Sequence, residues 1–147
     1  MLKLLTLILL LSANPSDPEF QWVEDWSKAQ QVSSEQQKPI LLVFTGSDWC
    51  RNCMKLEASV LESSTFQGYL SEAVIPFRVD FPRSKKNQPE ESIVLMRAEI
   101  AEKYNPEGSF PKMVLIDAEG EILFQSSYLG EDPQLYIPPL QEAIQNP

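Results

Sequence analysis

The chain has 147 residues, of which 43% are apolar and 10% aromatic, so it can bury the core of about one domain. Its formal net charge is −9, which argues against nucleic acid as the main partner. Two cysteines and no histidine are too few ligands for a structural zinc site. We therefore expect one acidic domain that binds neither nucleic acid nor metal.

Residues 1–13 have the pattern of a secretory signal peptide. Lys3 gives a minimal positive charge, Leu4 to Leu11 form a short apolar segment, and Ala13 is small enough for a cleavage site. A buried N-terminal helix and a retained membrane anchor are the alternatives. Cleavage after Ala13 would leave a domain outside the cytoplasm, with no stable membrane insertion, where disulfides form.

The first predicted element is a helix. Apolar residues recur at three-residue steps from Phe20 to Val32, as on one face of a helix. Ser16 or Asp17 could begin this helix, since both are residue types found at helix N-termini. Pro39 prevents it from continuing.

The middle of the chain predicts alternating strands and helices. Residues 40–44 form a continuous apolar run, as expected of a strand buried on both faces. A helix then begins at Cys50 and carries apolar positions as far as Leu61. Residues 65–73 predict a further helical segment, and residues 74–81 predict a second strand.

A loop and a helix follow the second strand. Residues 82–89 have proline at each end, and the basic side chains Arg83, Lys85 and Lys86 are expected to be solvated there. Residues 90–104 have apolar positions near helical spacing and predict a helix.

The last elements are a hairpin and a helix. Residues 112–116 and 121–125 predict two strands joined by a short turn that contains glycine. Pro133 begins a final helical stretch that Pro138 and Pro139 must bend or break. The first two strands are separated by helix, so they should be parallel. The fold class is therefore α/β, with a mixed sheet of about four strands.

Cys50 and Cys53 form a C-x-x-C motif directly after a buried strand. Cys50 falls at the start of a helix, where unpaired N–H groups and the helix dipole favour a thiolate, the species that attacks disulfides. Cys53, one turn further, should face the core and act as the resolving thiol. A structural disulfide is the main alternative, but closing so short a loop stabilises little.

The order of elements around this motif resembles the thioredoxin fold over residues 20–146. The segments KPILLVFTGSDWCRNC, VDFP followed by QPEE, and SFPKMVLIDAEGE resemble the secreted or periplasmic thioredoxin-like disulfide reductases of the DsbH type. The resemblance implies a thioredoxin-like domain over residues 14–147. It also implies that Pro111, after Phe110, is the cis-proline that lies against the active-site disulfide and helps to hold the substrate.

Two residues beside the cysteines are further candidates for substrate binding. Trp49 is expected to pack beside the sulfur atoms and to form part of the docking surface, or simply to belong to the core. Arg51 places a positive charge next to Cys50, which would favour the thiolate, unless it is only a solvated residue at the helix start.

A proton relay for Cys53 is less evident. Thioredoxins commonly carry a buried aspartate six residues before the first cysteine, and that position here is Phe44. Glu57 lies four residues after Cys53 on the same helical face and is the expected substitute, although it could be an ordinary surface glutamate. Asp48 is expected to cap the helix rather than to act as a base.

These patterns predict an extracytoplasmic thiol–disulfide oxidoreductase that acts mainly as a reductase without a cofactor. The resemblance implies disulfide-containing protein substrates and a DsbD-type membrane protein as electron donor. We expect a monomer. The second cysteine pair and the dimerisation domain expected of a dedicated isomerase are not evident. The alternatives are a disulfide oxidase or isomerase, and a binding or chaperone-like module without redox activity.

Overall fold

The computed structural model describes residues 20–147, which form an α/β fold around one four-stranded sheet. The proposed signal peptide, residues 1–13, lies outside the described residues. The strands are β1 (Ile40–Thr45), β2 (Ile75–Asp80), β3 (Lys112–Ile116) and β4 (Ile122–Ser126). The α-helices of the described part are α1 (Trp26–Gln36), α2 (Arg51–Leu56), α3 (Ser64–Ala73), α4 (Glu91–Tyr104) and α5 (Ile137–Gln145). Within residues 20–147, no helix is both long enough and apolar enough to cross a membrane.

The sheet has the strand order β2-β1-β3-β4. Strand β1 is parallel to β2 and antiparallel to β3, and β3 and β4 form the hairpin. Leu42 of β1 lies opposite Phe77 on one side and Val114 on the other. The predicted α/β class, mixed sheet and parallel first pair are therefore confirmed.

Strand β1 is buried on both faces of the sheet. Leu41 and Val43 belong to the core cluster formed with α3, α5 and the region after the cysteines. Leu42 and Phe44 point to the opposite face and pack in the cluster that includes residues of α1 and α4. Because successive side chains of a strand alternate between faces, this continuous apolar run serves both halves of the core.

The predicted start of the first helix was wrong. Helix α1 begins at Trp26, and Asp25 caps it by accepting a hydrogen bond from the Lys28 N–H at 2.8 Å. The preceding segment is extended, because Val23 forms a parallel bridge with Phe77 of β2. The apolar stripe thus continues across two different backbone conformations.

Two other helical stretches are interrupted. The helix after Cys50 changes from α to π geometry at Glu57–Leu61, instead of continuing unchanged to Leu61. At the C-terminus, a 3-10 turn at Pro133–Leu135 is separated from α5 by Tyr136. Pro138 and Pro139 lie in the first turn of α5, where a missing N–H group costs little, so the predicted break falls just before them.

Candidate active site

The two sulfur atoms lie at the N-terminus of α2 and are joined as a disulfide. Cys50 is the N-cap of the helix, and its Sγ accepts a hydrogen bond from the Cys53 N–H at 3.2 Å. The Gly46 N–H donates to Cys53 Sγ at 3.5 Å. Each sulfur atom therefore accepts a hydrogen bond from a backbone N–H group. The Cys53 N–H would stabilise a Cys50 thiolate.

The two cysteines differ in exposure. Cys50 retains 7% of its accessible surface and Cys53 retains 2%. Burial in apolar surroundings disfavours the charged form of a thiol. Cys50 is therefore the more accessible of the two sulfur-bearing residues, and Cys53 lies deeper in the core.

A tight turn connects β1 to the cysteines. The Gly46 carbonyl oxygen accepts hydrogen bonds from the Trp49 N–H at 3.3 Å and the Cys50 N–H at 2.9 Å. A Cβ atom at Gly46 would clash with the Trp49 indole, whose Nε1 would be 2.6 Å away. Glycine is required here because the indole lies directly over the turn.

An aromatic cluster, Trp49, Phe81 and Phe110, lies beside this turn. The Trp49 Nε1–H donates to the Phe81 carbonyl oxygen at 2.7 Å. The Phe110 ring makes edge-to-face contacts with Trp49 at 5.5 Å and with Phe81 at 5.7 Å between ring centroids. The Phe110–Pro111 peptide bond is cis, and Pro111 is buried. The structure thus brings Phe110 to Trp49.

Sequence reasoning did not identify Phe81 as part of this cluster. The Phe81 N–H donates to the Thr45 carbonyl oxygen at 2.9 Å and so extends the β1–β2 pairing. Residue Phe81 was recognised only as the end of a strand. The position of Phe81 could have been predicted from the sequence. It is an aromatic residue at the carboxyl end of β2, and the carboxyl ends of the parallel strands β1 and β2 lie together at one edge of the sheet.

Arg51 and Arg83 differ in their surroundings. Arg51 is exposed in the first turn of α2. Arg83, predicted only as a solvated loop residue, places its guanidinium carbon 3.8 Å from the centroid of the Trp49 ring. The cation that stacks on the candidate docking surface therefore comes from the loop after β2.

Asp48 does not cap α2, because Cys50 holds that position. Its carboxylate instead accepts hydrogen bonds from the Arg83 N–H at 2.8 Å, the Ser84 N–H at 2.9 Å and the Asn87 Nδ2 at 2.9 Å. These donors, with the Arg83 N–H as the largest cause, lower the pKa of Asp48. Its function in the fold is to hold the loop after β2 against the active-site turn.

Glu57 and Cys53 line the same open cavity, which has a volume of about 400 Å³. Glu57 Oε1 lies 2.6 Å from Arg78 Nη2, and the two side chains are 30% and 32% exposed. Burial raises the pKa of Glu57, and the positive charge of Arg78 opposes that rise. Glu57 is thus a half-buried carboxyl group that shares a solvent-accessible space with the inner cysteine.

Phe44 is not near this cavity. Its side chain belongs to the core on the opposite face of the sheet, with residues of α1 and α4. Thr45 is the β1 residue that lines the cavity with Cys53 and Glu57. Counting residues back from Cys50 therefore selects a side chain on the wrong face, because a shift of one residue reverses the direction of a strand side chain.

The model of the thioredoxin-like family matches residues 21–118, which is more than half of the chain. The chain belongs to the thioredoxin-like family. A solved structure described as DsbH oxidoreductase is 29% identical to this family member, with a TM-score of 0.77, and the match covers 92% of this chain and 94% of the other.

Two relatives from Chlamydia pneumoniae are also similar to this thioredoxin-like chain. Disulfide bond reductase DsbH is 36% identical over 124 residues, which are 84% of this chain and 72% of that protein. Thioredoxin-related protein DsbJ is 28% identical over 137 residues, which are 88% of this chain and 38% of that protein. With its Cys50–Cys53 pair, the protein is a DsbH-like thiol–disulfide oxidoreductase.

The turn at Gly46 gives a prediction about stability. Gly46→Ala should lower the free energy of unfolding by about 1–3 kcal/mol, because the new methyl group displaces the Trp49 indole. Urea denaturation of the oxidised protein measures this change.

Gly68→Ala is the matched control. Gly68 is exposed in α3, and a Cβ atom added there would have nothing within 4 Å, so the same substitution should raise stability by about 0.5–1 kcal/mol. Equal effects of the two substitutions would contradict the close approach of Trp49 to the turn.

Proposed function

We propose that the protein reduces disulfide bonds in other proteins outside the cytoplasm, with Cys50 as nucleophile and Cys53 as resolving cysteine. The position of Cys50 at the start of α2, more exposed than Cys53 and facing a backbone N–H, carries this proposal. The 36% identical relative, disulfide bond reductase DsbH, supports reduction as the direction of the reaction.

The exchange takes two steps. The Cys50 thiolate attacks one sulfur of the target disulfide, a mixed disulfide forms, and the other target sulfur leaves as a thiolate. Cys53 then loses its proton and attacks Cys50 Sγ, which releases the second target thiolate and forms the Cys50–Cys53 disulfide. The target gains two electrons and the C-x-x-C pair loses them.

The oxidised pair needs an electron donor to begin another cycle. A DsbD-type membrane protein fits this role, because a domain outside the cytoplasm requires electrons that have crossed the membrane. The signal-peptide pattern of residues 1–13 supports export, and cleavage after Ala13 would release the domain to the periplasm. We propose that the protein acts as a monomer.

The charges around Cys53 favour a reductase over an oxidase. DsbA is a strong oxidant because its reduced form is stabilised. Here Glu57, Glu62 and Arg78 line the cavity next to Cys53, so two carboxylates stand against one guanidinium group, and the excess negative charge opposes formation of a Cys53 thiolate. A less stable thiolate makes the reduced pair a better electron donor.

The substrate-binding surface comprises Trp49, Arg51, Phe110 and Pro111. The contact between Trp49 and Phe110 supports this assignment, because it joins the turn before Cys50 to the segment that contains the cis peptide bond. A substrate chain that lies along these side chains would bring its disulfide to Cys50.

Glu57 serves as the base that accepts the Cys53 proton. The carboxylate and the thiol share the 400 Å³ cavity, which provides room for a water molecule between them. A pKa raised by burial moves Glu57 towards the range in which it can both accept and return a proton.

The two cysteines should fail in different ways. Cys50→Ser should abolish the acceleration of insulin reduction by dithiothreitol, whereas pre-reduced Cys53→Ser, mixed with insulin after dithiothreitol is removed, should retain the first attack and accumulate a mixed disulfide. Turbidity onset measures the first result, and non-reducing electrophoresis measures the second. Equal turbidity onset for wild type and Cys50→Ser would instead support a binding or chaperone-like module.

The redox potential decides the direction. Equilibration of the purified protein with glutathione should place the Cys50/Cys53 pair nearer the thioredoxin value of about −270 mV than the DsbA value of about −120 mV. Quenching with an alkylating reagent followed by mass spectrometry gives the reduced fraction. A potential close to that of DsbA would assign the protein as an oxidase.

The Glu57 assignment predicts a pH-dependent defect. Glu57→Gln should slow resolution of the mixed disulfide near neutral pH by up to about 100-fold, the lower end of the range for general base catalysis. The wild-type rate should fall as the pH drops through the raised pKa of Glu57, because the carboxyl group then becomes protonated, and the variant should lack this step.

Glu62→Gln is the control for Glu57→Gln. It removes a negative charge from the same cavity without removing the group expected to take the proton, so resolution should not slow and should keep its pH-dependent step. Stopped-flow measurement between about pH 6 and pH 9 separates the two. Identical rates for Glu57→Gln and wild type across that range would eliminate Glu57 as the base.

A further inference from the structure

We propose that the loop of residues 82–89 is a docking surface for acidic segments that flank the target disulfide in protein substrates. This loop, called here the basic loop, contains Arg83, Lys85 and Lys86 and no acidic residue. The inference rests on the proposed reductase function, since it concerns which substrates reach Cys50.

The basic loop is fixed relative to the active site. Its Arg83 and Ser84 N–H groups and the Asn87 amide donate to the Asp48 carboxylate, two residues before Cys50. The Gln88 amide donates to the Pro82 carbonyl oxygen within the loop. Asp48 thus keeps the backbone of the loop in place when a partner approaches, so less conformational entropy is lost on binding.

Arg83 connects the basic loop to the substrate-binding surface. Its guanidinium group lies over the Trp49 ring, 3.8 Å from the centroid, and Trp49 directly precedes Cys50. A substrate chain that contacts Trp49 therefore lies close to the Arg83 charge. The flat face of the guanidinium group stacks on the ring, while its N–H donors can still meet a carboxylate.

Lys85 and Lys86 extend this charge outwards. Both are exposed in the 3-10 turn Lys85–Asn87. Three positive charges in the loop outweigh the single negative charge of Asp48. The acidic residues that flank the loop in sequence are Asp80, which accepts hydrogen bonds from the Ser47 N–H and hydroxyl, and Glu90 and Glu91 at the start of α4.

The basic loop contrasts with the rest of the molecule. The whole chain has a net charge of −9, so an acidic partner is repelled by the molecule in general. A local positive surface beside Cys50 would orient such a partner with its acidic segment at the loop and its disulfide at the sulfur. Charge complementarity therefore selects acidic flanking sequences over neutral or basic ones.

Three model peptides with the same disulfide test this inference. Aspartate, asparagine or lysine flanks the disulfide, and kcat/KM for reduction is measured with the whole protein at low and high salt. Dithiothreitol supplies the electrons that regenerate the Cys50–Cys53 dithiol, and the rate without protein is subtracted. Wild type should prefer the aspartate peptide to the asparagine peptide by about 10-fold at low salt and to the lysine peptide by more. High salt should remove most of the preference, because the charges are exposed.

Substitutions in the loop provide the decisive comparison. Lys85→Gln/Lys86→Gln should reduce the aspartate-to-asparagine ratio by about 3-fold or more, and Lys86→Gln should have a smaller effect. Lys28→Gln removes one positive charge from the exposed face of α1 and should leave the ratio unchanged. Lys85 and Lys86 are chosen because, unlike Arg83, they do not contact Trp49.

The outcomes separate this inference from the proposed function. If wild type reduces the asparagine peptide but shows no preference for aspartate, the docking role is overturned and the reductase function stands. If no peptide is reduced, both fail. Binding to anionic lipid vesicles that Lys85→Gln/Lys86→Gln loses, with an unchanged peptide ratio, would also overturn the inference, since the loop would then serve a membrane surface.

Discussion

The position of β1 is the constraint on which the active site depends. This strand pairs with β2 on one side and β3 on the other, and its side chains fill both halves of the core. It therefore has little freedom to shift, and the turn at its carboxyl end begins at a fixed place. The Gly46 carbonyl and N–H groups then position Trp49, Cys50 and Cys53.

A second set of contacts ties the loop after β2 to that turn. Ser47 donates to Asp80 through its N–H at 2.9 Å and its hydroxyl at 2.6 Å, and Asp48 accepts from the loop in return. The turn after β1 and the loop after β2 are thus hydrogen-bonded to each other. The surface around Cys50 is therefore built from two connecting segments that are hydrogen-bonded to each other at the ends of paired strands.

The sequence was sufficient for the fold class, the parallel first pair, the hairpin and the cysteine pair, because these depend on local patterns. The continuous run in β1, the C-x-x-C spacing and the glycine-containing turn between β3 and β4 each lie within one short segment, where the residue pattern itself favours one structure. The four-residue spacing from Cys53 also predicted that Glu57 lies on the same face of the helix, and both residues line one cavity.

What the sequence could not supply were contacts between distant segments. Arg78 pairs with Glu57 from 21 residues away, and Arg83 stacks on Trp49 from another strand end. The early start assigned to α1 has a similar cause. Val23 fits a helical stripe by its spacing. An extended conformation is adopted instead because it lets Val23 pair with Phe77 of β2.

The extended segment before α1 has a consequence for the edge of the sheet formed by β2. Strand β2 is at the border of the sheet, and Val23 pairs with it there, which blocks part of a row of backbone groups that could otherwise recruit another chain. The adjacent Trp22 ring lies 4.5 Å below the Arg78 guanidinium. A protein that begins at Trp26 would therefore leave the edge of β2 open to pairing with another chain. It would also lose the Trp22 ring that packs against Arg78, the ion-pair partner of Glu57.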